Sequence, residues 1–382
     1  MTPDGTSGAP PRPAPDTPRL LLDRARLEAN VARLHARCQA LGVAFRPHFK
    51  TAKSAEVALI STGGAPGPQT VSTIKEAEFL AAAGAARDIL LAATAIPARI
   101  PRAEALRRAH GTRLILVLDS PEMAALLDAA ATEPHEVLVE VDSGEHRAGV
   151  PPERALAIAR ATAATRHLRL AGVMTHGGHS YGFAGAEEIA EVAEAERAGT
   201  VAAAEAIRAA GLRADIVSVG SSPTLLHARH LTGVTEARAG VSLLWDLAQM
   251  SRGLCGWEDL ACSVLSTVIG HNRAGPALVL DAGALALSKD VTANSFAPGT
   301  GFGILADEHG HRLPLHVATA YQEHGMVPVP HESWFVRLPV GSLVRVYPNH
   351  VCMTAAGGYG AFDVINPDGA VTDRWPRVDG WH

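Results

Sequence analysis

The sequence contains few cysteines, and their spacing excludes two classes of small fold. The four cysteines, Cys38, Cys255, Cys262 and Cys352, are scattered over 382 residues without a C-x-x-C pair. Disulfide-bonded scaffolds and zinc fingers need several cysteines at short spacing, so neither class fits this chain. This use of cysteine predicts a reducing compartment.

Long apolar runs and an excess of one charge are also missing. Hydrophobic residues make up 47% of the chain, yet no run approaches the roughly 18 residues that a membrane helix needs. The net charge is -5, with acidic and basic residues interspersed. We therefore predict no membrane and no nucleic acid as partner, and we expect a small-molecule ligand.

The N-terminal residues lack the basic start and apolar core of a signal peptide. Residues 1–16 are rich in Pro, Gly and Ala, which predicts a disordered leader. Together with the cysteine usage, this pattern predicts a cytoplasmic protein.

Short apolar runs alternate with Ala-rich helical stretches over residues 17–260. The runs do not alternate polar with apolar residues, which is typical of parallel strands buried on both faces. They are residues 43–48, 69–73, 88–92, 113–118, 136–142, 170–176, 214–220 and 236–242. Eight such units predict a (β/α)8 TIM barrel, in which active-site residues lie at the strand C-termini. A doubly wound open sheet has the same periodicity and remains the alternative.

The pattern changes after about residue 260. Strand-like runs separated by Gly, Pro and Asp turns follow one another with little helix between them. They are residues 262–270, 276–283, 333–338, 341–349 and 362–366. Residues 261–382 are therefore predicted to form a second, mostly antiparallel β domain.

The segment RPHFKTAK, residues 46–53, follows the first predicted barrel strand. Pro47 suits the end of a strand, so Lys50 is expected to project from the barrel rim. Spacing alone would equally fit two surface lysines, Lys50 and Lys53. The segment resembles the RPHxKTHK motif of the D-serine dehydratase and D-threonine aldolase family, pyridoxal-phosphate enzymes with an alanine-racemase-like barrel. The resemblance implies the same fold, with Lys50 as the Schiff-base lysine; Ala52 stands where the family usually has a histidine.

The segment GSSPT, residues 220–224, resembles the GSTPT phosphate loop of the same family. Gly220 permits close approach of the backbone, and Ser221, Ser222 and Thr224 supply hydroxyl groups beside main-chain N–H groups. TIM barrels commonly bind phosphate at a late strand end, where this segment falls. Gly220, Ser221, Ser222 and Thr224 are therefore predicted to bind the cofactor.

The resemblance to this family also implies that the first strand, residues 18–23, joins the β domain.

Two arginines are predicted near the cofactor by further resemblances. EVDSGEHRAGV, residues 140–150, resembles the family's EVDxGxxRxGV, which implies that Arg147 lies near the phenolic oxygen of the cofactor. A pairing of Asp142 with Arg147 is the alternative. EARAGVSLLWD, residues 236–246, resembles ExRPGxYxxxD and places Arg238 near the cofactor.

The segment THGGHSY, residues 175–181, places His176, His179 and Tyr181 on one loop. Such groups can stack on a ring or move protons near neutral pH. In the aldolase branch of the family a histidine on a loop like this is thought to take the β-hydroxyl proton, and His176 is the best match. Tyr181 is predicted to contact the cofactor.

The segment PNHVC, residues 348–352, carries the candidate metal ligands. His350 and Cys352, at i and i+2 of one strand, would point to the same side and could bind one ion. A lone H-x-C also fits a buried histidine beside an inert cysteine. The segment resembles the PNHxCPT zinc site of the dehydratase branch, which implies a divalent metal, zinc first and Mn²⁺ or Mg²⁺ as alternatives. Asp281 and Asp290 are predicted to brace the domain junction.

These features predict a lyase that uses pyridoxal phosphate and a metal to act on D-3-hydroxy amino acids. A D-serine dehydratase-like elimination of water, to a 2-oxo acid and ammonia, is the first prediction, and D-threonine aldolase-like cleavage to glycine and an aldehyde is the alternative. A racemase is disfavoured because simple proton exchange does not need the two candidate metal ligands. A non-catalytic pyridoxal-phosphate carrier is disfavoured because such proteins usually end with the barrel, whereas this chain continues into a second domain. The resemblance further implies a homodimer, with each active site completed by the β domain of the partner.

Overall fold

The computed structural model describes residues 16–381, so the predicted leader lies outside the described residues except for Asp16. Strand β1 (Arg19–Asp23) comes first and does not enter the barrel. Among the described residues no helix is long and apolar enough to cross a membrane.

A parallel eight-stranded barrel follows β1, as the sequence predicted. Its strands are β2 (Ala44–Pro47), β3 (Gly67–Val71), β4 (Ala86–Thr94), β5 (Arg113–Leu118), β6 (His135–Val141), β7 (Leu168–Thr175), β8 (Ile216–Val219) and β9 (Glu236–Ala239). The hydrogen-bonded order is β2-β9-β8-β7-β6-β5-β4-β3. A parallel bridge between His48 and Thr70 joins β2 to β3 at the remaining gap. The barrel prediction is confirmed, and the open sheet is excluded.

The helices of the first unit surround this barrel. They are α1 (Arg24–Leu41), α2 (Ala55–Ser61), α3 (Ile74–Ala82), α4 (Ile100–His110), α5 (Pro121–Ala130), α6 (Ala155–Ala163), α7 (Ala186–Ala209), α8 (Ser222–His227) and α9 (Leu247–Met250). In α1, Asp23 caps the first turn by accepting from the Arg26 N–H, and Gly42 ends the helix with a φ of 69°. Leu27, Val31 and Leu34 recur at helical spacing and are buried.

The barrel strands are buried on both faces, which explains their continuous apolar runs. In β5, Leu114 and Leu116 join the core cluster that includes the buried helix residues, while Ile115 and Val117 belong to a separate cluster made only of strand residues. This arrangement matches the period of two along a strand. The strands therefore form a rigid support for the loops that follow their C-termini.

A second sheet of ten strands is built mainly from the C-terminal part of the chain. Its further strands are β10 (Cys262–Asn272), β11 (Ala277–Leu280), β12 (Gly303–Asp307), β13 (Arg312–His316), β14 (Thr319–Ala320), β15 (Gly325–Pro328), β16 (Leu343–Pro348), β17 (Ala361–Ile365) and β18 (Val371–Pro376). Three short helices lie between them, α10 (Ala284–Leu287), α11 (Ser333–Arg337) and α12 (Val351–Ala355). Strand β1 pairs antiparallel with β10 and parallel with β17, so the first strand of the chain belongs to this sheet.

One predicted strand of this unit is wrong. Residues 333–338 form helix α11 instead, with Trp334 and Phe335 buried against the core. A short apolar run does not distinguish a buried strand from one turn of buried helix. The error leaves the architecture of the second sheet unchanged.

Candidate active site

A cavity of about 730 Å³ opens where the C-termini of the barrel strands meet helix α12. Nearly all of the predicted site residues line it, namely Lys50, Arg147, His176, Tyr181, Gly220, Ser221, Ser222, Arg238, His350 and Cys352. Thr224 is the only predicted site residue that does not. The strand ends of the barrel therefore bring together segments that lie up to 300 residues apart in the chain.

Lys50 lies in a tight turn just after β2. The buried Phe49 anchors this turn, since its N–H donates to the Thr70 carbonyl at 2.8 Å and its carbonyl accepts from the Lys53 N–H at 2.8 Å. His48 lies under the same turn and also lines the cavity. Burial, Lys50 and Arg238 together lower the pKa of His48 well below its ordinary value, so its ring is neutral. His48 was not among the predicted site residues, although its place in the RPH motif was the available signal.

The predicted phosphate loop depends on a glycine and on a helix cap. Gly220 has a φ of +136°, and a Cβ there would lie 2.2 Å from the Arg238 carbonyl oxygen, so no other residue fits. Ser221 caps α8, where its N–H donates to Thr224 Oγ1 at 3.0 Å and its hydroxyl accepts from the Thr224 N–H at 3.2 Å. Thr224 therefore stabilises the loop through its two hydrogen bonds with Ser221, although it does not line the cavity. Ser221 and Ser222 face the cavity.

His176 and Tyr181 contact this loop from the segment that follows β7. His176 Nδ1 donates to the Gly220 carbonyl at 2.7 Å, which leaves Nε2 as the free ring nitrogen. Burial, with Lys50, Arg238 and Arg147 as further causes, lowers the pKa of His176 to about 3. The Tyr181 hydroxyl accepts from the Ser222 N–H at 3.4 Å, and burial raises the pKa of this phenol.

The two predicted arginines differ in environment. Arg147 is exposed and pairs with Glu145 at 3.4 Å. Asp142 accepts instead from the Gly144 and His146 N–H groups and from the His146 ring, so the proposed Asp142–Arg147 pairing is wrong. A tight Asx-type turn satisfies Asp142 locally before Arg147 is reached.

Arg238 is buried where the barrel strands meet the cavity. Its guanidinium donates to the Ser218 hydroxyl and to the Thr175 carbonyl, and burial lowers its pKa. Ser218 in turn donates to Glu236 Oε1 at 2.7 Å. Arg238 is therefore a fixed cation beneath the site.

His350 and Cys352 lie at the start of a helix, and the prediction that they share a strand is wrong. Strand β16 ends at Pro348, and the side chain of the buried Asn349 turns the chain by accepting from the Ala293 N–H and donating to the Gly301 carbonyl. His350 then precedes α12, and Cys352 lies in its first turn. Both side chains still reach the same cavity.

Asp290 holds His350 in one orientation. The His350 Nδ1 atom donates to Asp290 Oδ2 at 2.7 Å, which leaves Nε2 free. Burial lowers the pKa of His350, but the hydrogen bond to Asp290 and the nearby Cys352 outweigh it and raise the pKa to about 11. A carboxylate behind a histidine ligand is the usual arrangement at metal sites.

The residues present fit both a cofactor and a metal ion. Gly240 lies close under His48, since a Cβ at Gly240 would be 2.9 Å from His48 Cβ, and this close packing shapes the cavity beside Lys50. Within residues 16–381 no group of three or more metal-binding side chains occurs. The protein would thus supply two ligands, His350 and Cys352, and leave positions open for water or substrate.

The Lys50 turn and helix α12, which carries the predicted ligand Cys352, touch within a single chain. Thr51 Oγ1 lies 3.2 Å from Cys352 Sγ. The resemblance had left open that His350 and Cys352 face Lys50 of another subunit, but one chain places all three around one cavity.

The barrel, the second sheet and the lysine-bearing cavity define an alanine-racemase-like enzyme of the pyridoxal-phosphate class. Residues 22–247 match the family model of the alanine racemase N-terminal domain, and residues 261–360 match that of a putative serine dehydratase domain. The chain belongs to this two-domain family of pyridoxal-phosphate-dependent lyases.

Curated relatives and solved structures agree with this assignment. The chain is 42% identical over 377 residues to D-threo-3-hydroxyaspartate dehydratase of Delftia sp. (strain HT23), with 96% of this chain and 98% of that protein covered. It is 28% identical to D-serine dehydratase of Dictyostelium discoideum, with 96% and 97% covered. The solved structure of the Delftia enzyme has a TM-score of 0.92 at 41% identity, covering 96% of this chain and 99% of that chain. A further solved structure is of a cysteine-to-alanine variant of D-threo-3-hydroxyaspartate dehydratase in the metal-free form.

Proposed function

We propose that this protein removes water from D-3-hydroxy amino acids, using pyridoxal phosphate and a divalent metal, to give a 2-oxo acid and ammonia. One observation carries the proposal: Lys50 shares a cavity with His350 and Cys352, and Thr51 contacts Cys352 at 3.2 Å. An amine suited to chemistry at the α-carbon therefore lies beside ligands suited to a metal at the β-oxygen. Two relatives that are named dehydratases support the same reaction.

Lys50 has two roles in this proposal. Its Nζ atom would hold the cofactor and, once released, would take the proton from the α-carbon of the substrate. The bound cofactor would supply an electron sink for that carbon. Gly220, Ser221 and Ser222 would hold the phosphate with backbone N–H groups and hydroxyls.

His350 and Cys352 would hold the metal, with Asp290 fixing the histidine ring. The thiolate of Cys352 is a soft ligand, so we propose zinc in preference to Mn²⁺ or Mg²⁺. The ion would supply Lewis acidity to the β-hydroxyl, which is otherwise a poor leaving group.

The retro-aldol alternative needs a base for the β-hydroxyl proton, and His176 is its candidate. Its pKa is lowered to about 3, so the neutral ring accepts a proton poorly near neutral pH. The hydrogen bond from Nδ1 to the Gly220 carbonyl instead suits His176 to hold the phosphate loop beneath the cofactor. Dehydration therefore has the better support.

The test is a product analysis with the purified, pyridoxal-phosphate-loaded and zinc-loaded protein. We expect D-serine and D-threo-3-hydroxyaspartate to yield 2-oxo acid and ammonia in equal amounts, and D-threonine to yield oxobutyrate. The Lys50→Ala variant should lose the cofactor absorbance band near the visible edge and fall by at least about 10⁴-fold in rate, the scale of losing an essential catalytic group.

Two outcomes would contradict the proposal. Glycine plus an aldehyde as the dominant products would identify an aldolase. Turnover that is unchanged after chelation of the metal would remove His350 and Cys352 from the reaction.

We also propose a cytoplasmic homodimer. Large apolar side chains are exposed at the cavity and elsewhere on the second unit, including Met353 and Trp381, which line the cavity, Leu285 in α10, and Tyr321, whose carbonyl accepts from the Ala284 N–H. Exposed apolar groups clustered on one surface commonly mark a contact with another chain.

A further inference from the structure

Two polar side chains lie in the cavity with no role in the reaction described above. Gln249 is in α9 and Arg252 follows it by three residues, and both are buried, with relative exposures of 3% and 4%. The turn that carries them is well anchored, because the Ala248 N–H donates to the Asn349 carbonyl at 2.9 Å. Both side chains line the cavity that contains Lys50 and His350.

Both side chains keep unpaired polar atoms. Gln249 Oε1 is buried and has no hydrogen-bond partner in the described part of the chain. Arg252 donates through Nε to the Tyr181 carbonyl at 2.7 Å and through Nη1 to the Ala248 carbonyl. Its Nη2 has no acceptor among residues 16–381, and its guanidinium packs 4.6 Å from the centre of the Phe296 ring. A buried amide and a buried cation without full pairing are costly unless a ligand completes them.

The position of this pair is tied to the metal ligands. Asp246 accepts from the Gln249 N–H through Oδ1 and from the Val351 N–H through Oδ2, both at 2.9 Å. A single buried carboxylate thus fixes the turn of Gln249 and the first residue of the metal-ligand helix. Arg252 also lies within the field of Asp290, the partner of His350. Gln249 and the free Nη2 donor of Arg252 are therefore on the metal side of the cavity.

We propose that Gln249 and Arg252 bind a second substrate carboxylate, the one attached to the carbon that carries the hydroxyl group. This inference rests on the proposed function, in which that hydroxyl is at the metal, so the other group on the same carbon lies near the metal ligands. A planar guanidinium suits a carboxylate, and Gln249 can donate to the same group only through Nε2, because its unpaired Oε1 is an acceptor. The preferred substrates are then 3-hydroxy amino acids with two carboxylates, whereas D-serine has only a hydrogen at this place.

The test compares two substrates on one variant. For Arg252→Gln, we expect the ratio of kcat/KM for D-threo-3-hydroxyaspartate to that for D-serine to fall by about 10- to 100-fold, the loss typical of a charged hydrogen bond. The kcat/KM for D-serine should change by no more than about threefold, within the range of a near-neutral contact. Gln249→Leu should lower the same ratio by a smaller factor, because it removes a neutral group.

Arg377 supplies a matched control outside the cavity. It is also buried, donates through Nε and Nη1 to two carbonyl groups, those of Ala52 and Tyr359, and packs over an aromatic ring, Phe362. Any structural damage from Arg377→Gln should affect both substrates equally, so the ratio should stay unchanged.

A binding experiment separates this inference from the proposed function. With the holoenzyme, isothermal titration should show that D-malate binds more tightly than 3-hydroxypropanoate, which lacks only the carboxylate on the hydroxyl-bearing carbon, and Arg252→Gln should abolish that difference. If no substrate yields a 2-oxo acid, the proposed function fails while the D-malate result still tests the subsite.

Three results would overturn the inference. An equal loss for both substrates would place Arg252 at the α-carboxylate or in a structural role. An unchanged ratio would remove it from substrate binding. Loss of the cofactor absorbance on dialysis of Arg252→Gln would assign the side chain to the cofactor instead.

Discussion

Asp290 shows how one residue can orient a proposed metal ligand without binding the metal itself. Its carboxylate accepts from His350 Nδ1 at 2.7 Å and thereby fixes which ring nitrogen is free. We expect Asp290→Asn to weaken zinc binding by about 10- to 100-fold, the usual effect of losing such a partner. Competition titration with a zinc chelator measures this change, and the cofactor absorbance should remain as in the wild type.

Asp307 provides the control for this prediction. It accepts from His311 Nδ1 at 3.0 Å in the same way, but the pair is on the surface of the second sheet, at the end of β12. Asp307→Asn should leave zinc affinity unchanged. Equal zinc affinity in Asp290→Asn and the wild type would show that His350 is not held in this way for metal binding.

Individual site residues could be predicted from the sequence where a single short motif indicates their role. Lys50, His350 and Cys352 could be predicted as site residues because each lies in a compact segment that resembles the family, and the structure places all three at one cavity. Asp290 was predicted only to brace the junction, since its partner His350 is 60 residues away and no local pattern joins them. Gln249 and Arg252 were missed because their significance is that they lack partners, which only the folded chain reveals.

Among the structural elements, the barrel strands were the most predictable. Their ends lie within about three residues of those of the predicted runs, because burial on both faces leaves an apolar run that loops do not share. Helices α11 and α12 were not predicted, because helices this short depend on tertiary contacts more than on periodicity. For α12 the deciding contacts are those of Asn349 with Ala293 and Gly301.

Helix α4 is joined to the start of β6 by a buried carboxylate. Glu104 accepts from the Thr132 hydroxyl and from the Thr132 and Glu133 N–H groups, at 2.6, 2.7 and 3.0 Å. Although burial raises the pKa of Glu104, these hydrogen bonds lower it to about 2. Because the folded pKa is below the unfolded value, the stabilisation is complete above about pH 4.5 and disappears as the pH falls towards 2.

We therefore expect Glu104→Gln to lower the free energy of unfolding by roughly 2 kcal/mol at pH 7. The difference in free energy of unfolding between the variant and the wild type should decrease progressively as the pH is lowered below about 4.5. Urea unfolding midpoints at a series of pH values measure this difference. Glu78→Gln is the control, because Glu78 pairs with Arg102 at the surface and such pairs contribute little. A difference that stayed constant down to about pH 3 would show that the charge of Glu104 is not what stabilises the α4 contact.

On the scale of the whole molecule, the site is where the two units of the chain meet. The barrel contributes Thr51, which contacts Cys352, and Asp246, which accepts from the Val351 N–H. The second sheet contributes helix α12, which directly follows β16. A metal ion on His350 and Cys352 would therefore restrain both units at once.

This arrangement predicts that metal removal loosens the barrel as well as the second sheet. Zinc at about 100 times its Kd would add roughly 2.7 kcal/mol to stability, and chelation would remove it. We expect hydrogen exchange to become faster after chelation in α12 and also in the turn of residues 48–53, but not in β13 at the far edge of the sheet.

Two cysteine variants provide the controls for this experiment. The Cys352→Ser variant should show the fast exchange of the chelated wild type whether or not zinc is present. The Cys255→Ser variant, whose substitution is outside the cavity, should respond to zinc and to chelation as the wild type does. Faster exchange in α12 alone would mean that the ion restrains only the helix that binds it, and that the Thr51–Cys352 contact does not link the two units.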